Sequence, residues 1–393
     1  MKVDRGSPAE VGGLLLDPDS LGPPVARALD APNLQVTAWR AERLRAGAGN
    51  PTSAGVYRLA GEARDANDGL RRWSMVMKVF QSPASVGRPG FGDEIDHWNY
   101  WLRELRGFES GLLANLPPDV VAPAFYGAIE GDERAWLWIE DVGDLAGDAW
   151  TTADCYVAAR HLGRMEGWYL ANGDLPSMPW LARDVLRQWA DMLGIYGGPL
   201  AGLAAAEGPF ARLVPKIGRR AMGTLAAYLA EPAGLLDALD GLPQTFSHQD
   251  ANIDNLLLRA GQAGRPSLLA LDWQLMGLSP AGAVIGQLLN SLGKAIAPSA
   301  WAREEEVLGA YTAGLRDAGA QVADVDVELA YVASTVLRQG IFMFIMLRQD
   351  MDATALGDGP SADEVQARFA VDNEQMLVRL AGCAERARRL LES

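Results

Sequence analysis

The chain has 393 residues, 49% of them hydrophobic, which is enough apolar material for two packed regions. It carries 35 Lys and Arg against 50 Asp and Glu, a net charge of −15, and such an acidic surface disfavours nucleic acids and anionic membranes as partners. Two distant cysteines and three scattered histidines exclude a disulfide scaffold, a zinc ribbon and a His-rich metal site.

The N-terminal segment lacks the pattern of a targeting sequence. Its apolar run, VGGLLL at 11–16, is short, is not preceded by a basic stretch of useful length, and ends in Asp-Pro-Asp. We therefore expect neither a signal peptide nor a transmembrane span, and we expect a cytoplasmic protein.

Strand patterns come first along the chain. Segments 34–44, 56–64 and 73–81 mix apolar and polar residues as antiparallel strands do, and they predict a three-stranded meander. The stretch AGAGNPTSAG at 46–55 has turn-forming residues throughout and would join the first two strands.

The periodicity then changes. Apolar residues recur every three or four positions within 94–113, which predicts a helix, and 120–130 and 134–142 suit two more strands. We therefore expect a sheet of about five strands, with one helix inserted after the third.

Helical patterns dominate beyond residue 142. The candidate helices lie within 152–171, 181–195, 210–230, 283–297, 303–318, 326–349 and 363–391. The stretch 245–276 breaks this series with two short strands and a polar loop. The sequence thus predicts an α+β fold of two lobes, a small antiparallel-sheet lobe at 1–142 and a larger helical lobe at 143–393.

The polar loop is the most informative stretch. FSHQDANIDNLLL at 246–258 contains the pattern H-x-D-x-x-x-x-N, formed by His248, Asp250 and Asn255, and Asp272 follows within LLALDWQ. One carboxylate could accept the proton of an attacking hydroxyl. A second carboxylate and an amide oxygen are hard ligands that suit magnesium.

A lysine upstream completes the set. Lys78 stands in the apolar segment VMKVF, where an unpaired charge would be costly. Glu104, in the predicted helix 94–113, is the candidate partner, although Glu94 lies in the same segment. Lysine, glutamate, aspartate, asparagine and aspartate in this chain order are the arrangement used for phosphoryl transfer from ATP.

These motifs together resemble the aminoglycoside phosphotransferase and choline kinase group of small-molecule kinases. The resemblance extends loosely over about 34–290 and rests on the His248 motif, on Asp272 in LDW, on Lys78 in the third strand, on Glu104 and on LWIEDV at 137–142. It implies the bilobal protein-kinase-like fold.

The resemblance also implies a nucleotide site. Lys78 would hold the phosphates with Glu104 as its anchor, and the backbone at Glu140 and Val142 would meet the adenine. The nucleotide would be ATP or GTP, with Mg²⁺ as the metal.

On the acceptor side, the resemblance makes Asp250 the catalytic residue and Asn255 and Asp272 the magnesium ligands. Two features depart from the family pattern. Gln249 stands where the family usually has glycine, and SPAGAVIGQLL lacks the aspartate that usually follows the metal-binding segment. The acceptor pocket or the bracing of the loop could therefore differ.

The function expected from these features is phosphoryl transfer to a hydroxyl of a small molecule. The acceptor would be an antibiotic of the aminoglycoside, macrolide or nucleoside type, in resistance or self-protection, or a metabolite such as an amino alcohol or a sugar. A catalytically silent nucleotide sensor on the same fold is the alternative. A protein kinase is disfavoured, because neither Asp-Phe-Gly nor Ala-Pro-Glu accompanies Asp272.

Overall fold

The structure is a computed structural model. It describes residues 7–45, 50–67, 69–143, 150–196, 216–261, 266–295, 298–344 and 362–392. Parts of five sequence predictions lie outside these residues. They are positions 46–49 of the small-residue loop, the start of the helix expected at 210–230, positions 262–265 of the stretch 245–276, and the ends of the helices expected at 283–297 and 326–349.

Twelve strands occur among the described residues. They are β1 (Ala9–Val11), β2 (Leu14–Leu16), β3 (Gln35–Arg43), β4 (Ser53–Arg64), β5 (Leu70–Gln81), β6 (Val120–Val121), β7 (Phe125–Glu130), β8 (Arg134–Glu140), β9 (Gln244–Ser247), β10 (Leu256–Ala260), β11 (Pro266–Ala270) and β12 (Gly277–Pro280).

The structure contains ten helices of seven residues or more among the described residues. They are α1 (Pro18–Ala28), α2 (Arg103–Glu109), α3 (Thr152–Asn172), α4 (Val185–Tyr196), α5 (Lys216–Ala230), α6 (Ala233–Asp240), α7 (Ile285–Ala295), α8 (Glu304–Asp317), α9 (Asp324–Thr335) and α10 (Ala362–Glu392). In the described part of the chain, no helix combines the length and apolar character needed to cross a bilayer.

Residue contacts divide the chain into two compact units. The first comprises Met1–Ala146, Ser177–Ala182 and Asp254–Met276, and the second comprises Gly147–Pro176, Arg183–Ile253 and Gly277–Ser393. This division differs from the expected single boundary after residue 142. The reason is that β11 pairs in parallel with β6, which joins the β10–β11 hairpin to the first unit.

The first unit is built on a five-stranded antiparallel sheet of order β3-β4-β5-β8-β7. On β5, Trp73, Met75, Met77 and Val79 alternate into one hydrophobic core, so Lys78 emerges on the opposite face. The hairpin β1–β2 and helix α1, which the sequence analysis did not predict, pack against the same core.

The helix expected at 94–113 is only partly present, because α2 begins at Arg103. The side chain of Arg103 is fully buried and donates to the carbonyl oxygens of His97 (2.6 Å), Trp98 (2.6 Å), Trp180 (2.6 Å) and Gln274 (3.0 Å). In a continuous helix the carbonyls of His97 and Trp98 would accept from backbone amides four residues later. The arginine takes those bonds instead, and the preceding segment forms turns.

The second unit is mainly helical, as expected. The predictions at 152–171, 181–195, 283–297, 303–318 and 363–391 correspond to α3, α4, α7, α8 and α10. Helix α6 was not predicted. The segment expected to be one helix at 326–349 contains α9 followed by a π-helical turn, Val336–Gly340. The antiparallel pair β9–β12 lies among these helices. The α+β class, with an antiparallel-sheet region followed by a helical region, is thus confirmed.

Close packing of α3 against α8 gives the first testable prediction. A Cβ added at Gly314 would overlap the backbone carbonyl oxygen of Arg160, whereas Gly309, on the same helix, has open space around it. Gly314→Ala should therefore lower the free energy of unfolding by about 1–3 kcal/mol through overpacking. Gly309→Ala should raise it by up to ~1 kcal/mol through helix propensity. Urea denaturation of both variants measures this, and equal effects would contradict the close approach.

Candidate active site

A cavity of about 190 Å³ in the first unit collects most of the residues that the sequence singled out. Lys78, Glu140, Val142, Asn255 and Asp272 all line it. The small-residue loop before β4 contributes to the same lining through its described residues at 50, 52 and 53. The cavity therefore unites the loop, the middle of the sheet, the end of β8 and the β10–β11 hairpin.

Lys78 is held by two carboxylates. Its Nζ donates a hydrogen bond to Glu104 Oε2 and lies 3.3 Å from Asp272 Oδ1. The Glu104 side chain is 1% exposed and that of Asp272 is 48% exposed. Glu104 is thus a buried anchor, while Asp272 also presents its carboxylate to the cavity. Glu94, the other glutamate considered, is exposed.

The two carboxylates raise the pKa of Lys78 and so keep its ammonium group protonated. Burial works against the ammonium of Lys78, but Asp272 and Glu104 outweigh that cost and raise its pKa. Lys78 is therefore a fixed positive charge in the cavity wall, which suits a phosphate ligand better than proton transfer.

Asp272 sits in a constrained backbone position. Its φ of 58° lies in the left-handed region, which aspartate tolerates better than most residues. The next residue fixes this geometry: Trp273 is fully buried, its backbone N–H donates to Glu104 Oε1 (3.3 Å) and its indole N–H donates to the Ala270 carbonyl (2.8 Å). The anchor of Lys78 thus also positions the turn that carries Asp272.

Asn255 supplies a second oxygen to the cavity. The N–H of Leu271 donates to its backbone carbonyl (2.8 Å), which ties it to the residue before Asp272. Among the described residues no three His, Cys, Asp or Glu side chains converge on a metal position. Magnesium commonly needs only one or two carboxylates beside substrate phosphates, and one carboxylate with one amide oxygen fits that requirement.

Two ion pairs at the end of β8 were not predicted from the sequence. Arg259 binds the Glu140 carboxylate in a bidentate manner (2.9 and 3.3 Å), so this side chain is engaged with β10. Asp141 is bound by Arg58 (3.0 Å) and accepts from Ser74, and both Asp141 and Arg58 line the cavity. Arg58, Asp141 and Arg259 were not predicted from the sequence as site residues.

Asp250 lies in the second unit. Its Oδ1 accepts from Arg338 (2.8 Å) and from the amide of Asn252 (2.8 Å), and its backbone N–H donates to Nδ1 of the buried His248 (3.2 Å). Gln249 has a φ of 59°, a value that favours glycine, and its carbonyl accepts from Arg338. Glycine would adopt this backbone conformation without strain, whereas Gln249 adopts it with a side chain.

Arg338 is the most important residue that the sequence analysis missed. It belongs to the π-helical turn after α9, a type of irregularity that often marks functional sites. Its guanidinium also lies over the Trp189 ring, 5.3 Å from the centroid. An arginine inside the apolar pattern of 326–349 was the signal available in the sequence, but its partner could not be read from it.

A buried acid supports the strand that leads to the loop of Asp250. Glu166 on α3 is fully buried and accepts from the hydroxyl of Tyr311, while its backbone carbonyl accepts from Thr245 Oγ1 (2.8 Å). Burial raises the pKa of Glu166 to about 7, against hydrogen bonds from Ser247 and Tyr311 that lower it.

Comparison with known proteins returns small-molecule kinases. No protein-family model matches the chain, and no curated protein matches it by sequence. Solved structures do match. The chain resembles small-molecule kinases of the aminoglycoside phosphotransferase and choline kinase group.

Three solved structures illustrate the resemblance. An amicoumacin kinase in complex with AMP-PNP, Ca²⁺ and Ami is 15% identical, with 88% of each chain covered and a TM-score of 0.49. A choline kinase from Cryptosporidium parvum Iowa II is 13% identical, with 90% of this chain and 94% of that chain covered and a TM-score of 0.46. An aminoglycoside phosphotransferase from Streptomyces rimosus, in complex with ADP and streptomycin, is 15% identical, with 75% of this chain and 95% of that chain covered and a TM-score of 0.40.

The choice between two glutamates can be tested by stability. Glu104→Gln removes the buried anchor of Lys78 and should lower the free energy of unfolding by roughly 2 kcal/mol, since Asp272 remains as a partner. The exposed Glu94→Gln should change it by less than about 0.5 kcal/mol. Guanidinium denaturation of both variants decides this, and a larger loss at Glu94 would show that the wrong glutamate had been assigned.

Glu166 predicts a pH dependence of stability. Because its pKa is raised from 4.5 to about 7, the folded state holds the proton more tightly, and this contribution is lost as pH rises through that range. Glutamine at position 166 does not titrate, so this loss should be absent in Glu166→Gln. Between pH 4.5 and about 7, the free energy of unfolding of the variant should therefore rise relative to that of the wild type by up to ~1.4 kcal/mol per pH unit. Urea midpoints at pH 5 and pH 8 measure it. The exposed Glu305→Gln serves as control, and parallel pH profiles for wild type and Glu166→Gln would refute the assignment.

Proposed function

We propose that the protein transfers the γ-phosphate of a nucleoside triphosphate, ATP or GTP, to a hydroxyl of a small molecule. The observation that carries this proposal is the partly buried Lys78, held by Glu104 and Asp272 in a cavity of about 190 Å³. A structural lysine has no need of two carboxylates, one of them half-exposed to a cavity, whereas a phosphate-binding lysine beside a metal-binding aspartate does.

The nucleotide would occupy the cavity of the first unit. Lys78 would contact the phosphates, and the backbone at Glu140 and Val142 would meet the base. Because Arg259 holds the Glu140 carboxylate, this residue would act through its main chain. Asp272 and Asn255 would hold Mg²⁺, which when bound neutralises the charge that develops on the transferred phosphate.

Asp250 would receive the acceptor. The oxygen of the acceptor hydroxyl attacks the γ-phosphorus, the bond from phosphorus to the β–γ bridging oxygen breaks, and the electron pair leaves with the nucleoside diphosphate. The hydroxyl proton passes to the Asp250 carboxylate. Arg338 and Asn252 fix Oδ1 of that carboxylate, so it is oriented before the acceptor arrives.

The alternatives are less well supported. A silent nucleotide sensor would not need the lysine, both of its carboxylate partners and the motif aspartate together. The acceptor would be an antibiotic or a metabolite alcohol, and a cytoplasmic location, where nucleoside triphosphates are abundant, belongs to the same proposal.

The roles of two aspartates separate in one experiment. Asp250→Asn keeps the size of the side chain but removes the base, so single-turnover transfer of labelled γ-phosphate should fall by about 10²–10⁴ while nucleotide affinity is retained. Transfer to a panel of hydroxyl compounds and calorimetric nucleotide binding are the two measurements. Unchanged transfer would remove Asp250 from the reaction.

Asp272→Ala provides the comparison. It should lose both transfer and magnesium-dependent nucleotide binding, because it removes the charged metal ligand. A variant that still binds the nucleotide with normal magnesium dependence would move the metal site elsewhere. The exposed Glu94→Gln, treated in parallel, should match the wild type in both measurements.

A further inference from the structure

The second unit contains a cavity of its own, with a volume of about 70 Å³. Its lining includes Gln249 of the catalytic loop, Ser279 of β12, Gln287 of α7, Ser334 of α9 and Arg338 of the π-helical turn. Gln249 directly precedes Asp250, and Arg338 binds the Asp250 carboxylate (2.8 Å). A molecule in this cavity could therefore contact Arg338, which in turn binds the carboxylate of Asp250, the proposed catalytic residue.

Two serines in this lining lack partners. Ser279 is 7% exposed and Ser334 is 5% exposed, and within the described residues neither hydroxyl has a hydrogen-bond partner. A buried hydroxyl without a partner costs about 1–3 kcal/mol, so such groups are rarely kept without a reason. Both hydroxyls border an open volume, which indicates that a ligand supplies the missing hydrogen bonds.

Among the described residues, the buried part of this lining carries no unpaired charge. Gln287 carries an amide whose oxygen accepts from Gln339 (3.0 Å), and Gln249 carries a second amide. The two lining arginines are already paired, Arg187 with Asp237 (2.7 Å) and with Asp240, and Arg338 with Asp250.

Among the lining carboxylates, Asp184 is exposed and Asp240 is bound by Arg187. An ammonium group that entered the buried part would lose its hydration without gaining a carboxylate, and this costs several kcal/mol. A hydroxyl group would lose less and would meet serine and amide partners.

We propose that this cavity binds a neutral, hydroxyl-rich part of the acceptor, of the sugar or polyol class, with Ser279 and Ser334 as specificity-determining residues. The inference rests on the proposed function and deepens it by selecting among acceptor classes. The small volume admits only part of a molecule, such as a few hydroxylated carbons. A compound without those hydroxyls would leave the serines unpaired and would be rejected for that reason.

The test measures binding without nucleotide as well as transfer with ATP. The probes are two neutral compounds, glucose and myo-inositol, and two cations, choline and kanamycin. Ser279→Ala and Ser334→Ala should each weaken binding of the neutral probe, and raise its KM, by roughly three- to tenfold, while the KM for ATP stays unchanged. The melting temperature should stay the same or rise, because each variant removes an unpaired buried hydroxyl. Asp184→Asn, at the exposed edge of the lining, tests the cationic alternative. The control is Glu305→Gln, which lies outside the lining and should leave all four probes unaffected.

The outcomes separate the two proposals. Serine-dependent binding of a neutral probe without any phosphate transfer would support the cavity and count against the proposed reaction. Transfer to choline or kanamycin that is weakened by Asp184→Asn and unaffected by the serine variants would support the kinase and overturn the neutral acceptor. A large loss of melting temperature in both serine variants would also overturn the proposal, since it would give the hydroxyls a structural role.

Discussion

In the first unit, the partly buried ammonium group of Lys78 ties three elements of structure together. Lys78 follows from the alternation of β5, because its neighbours on both sides point into the hydrophobic core and leave it on the other face. Its ammonium is stable there only because Glu104 comes from α2 and Asp272 from the turn after β11. Glu104 also accepts the N–H of Trp273, so a single carboxylate joins the sheet, the helix and the turn that carries Asp272.

Both units use a buried arginine to hold irregular backbone. Arg103 binds four carbonyl oxygens and thereby fixes the turns before α2 and the segment just beyond Asp272. Arg338 binds the carbonyl of Gln249 and the carboxylate of Asp250, and thereby fixes the loop at its most constrained residue. The planar guanidinium, with five donors, is suited to this task, and lysine could not replace it at equal cost.

The sequence predicted most of the candidate site residues, and it predicted fewer of the residues that hold them in place. The strand pattern around Lys78 and the motif containing Asp250 and Asn255 could be read locally, because each depends on neighbours within a few positions. Arg338 could not be paired with Asp250 in this way, since 88 positions separate them and only folding brings them together. The helix expected at 94–113 was too long for a similar reason. The apolar periodicity of this segment shows which residues are buried, but it does not show which groups accept the backbone hydrogen bonds. The Arg103 side chain takes up carbonyl oxygens of His97, in the same segment, and of Gln274, far along the chain.

The N-terminal hairpin β1–β2 and helix α1 cover one face of the five-stranded sheet. Leu16, Leu21 and Val25 are fully buried there, against a core that includes Trp39 and Met75. A shortened chain that began at β3 would still contain every residue discussed for nucleotide binding, yet it would expose a continuous apolar sheet face to water. Such a face invites aggregation. A fragment designed to contain the proposed nucleotide site should therefore also include residues 9–28, which cover this face of the sheet.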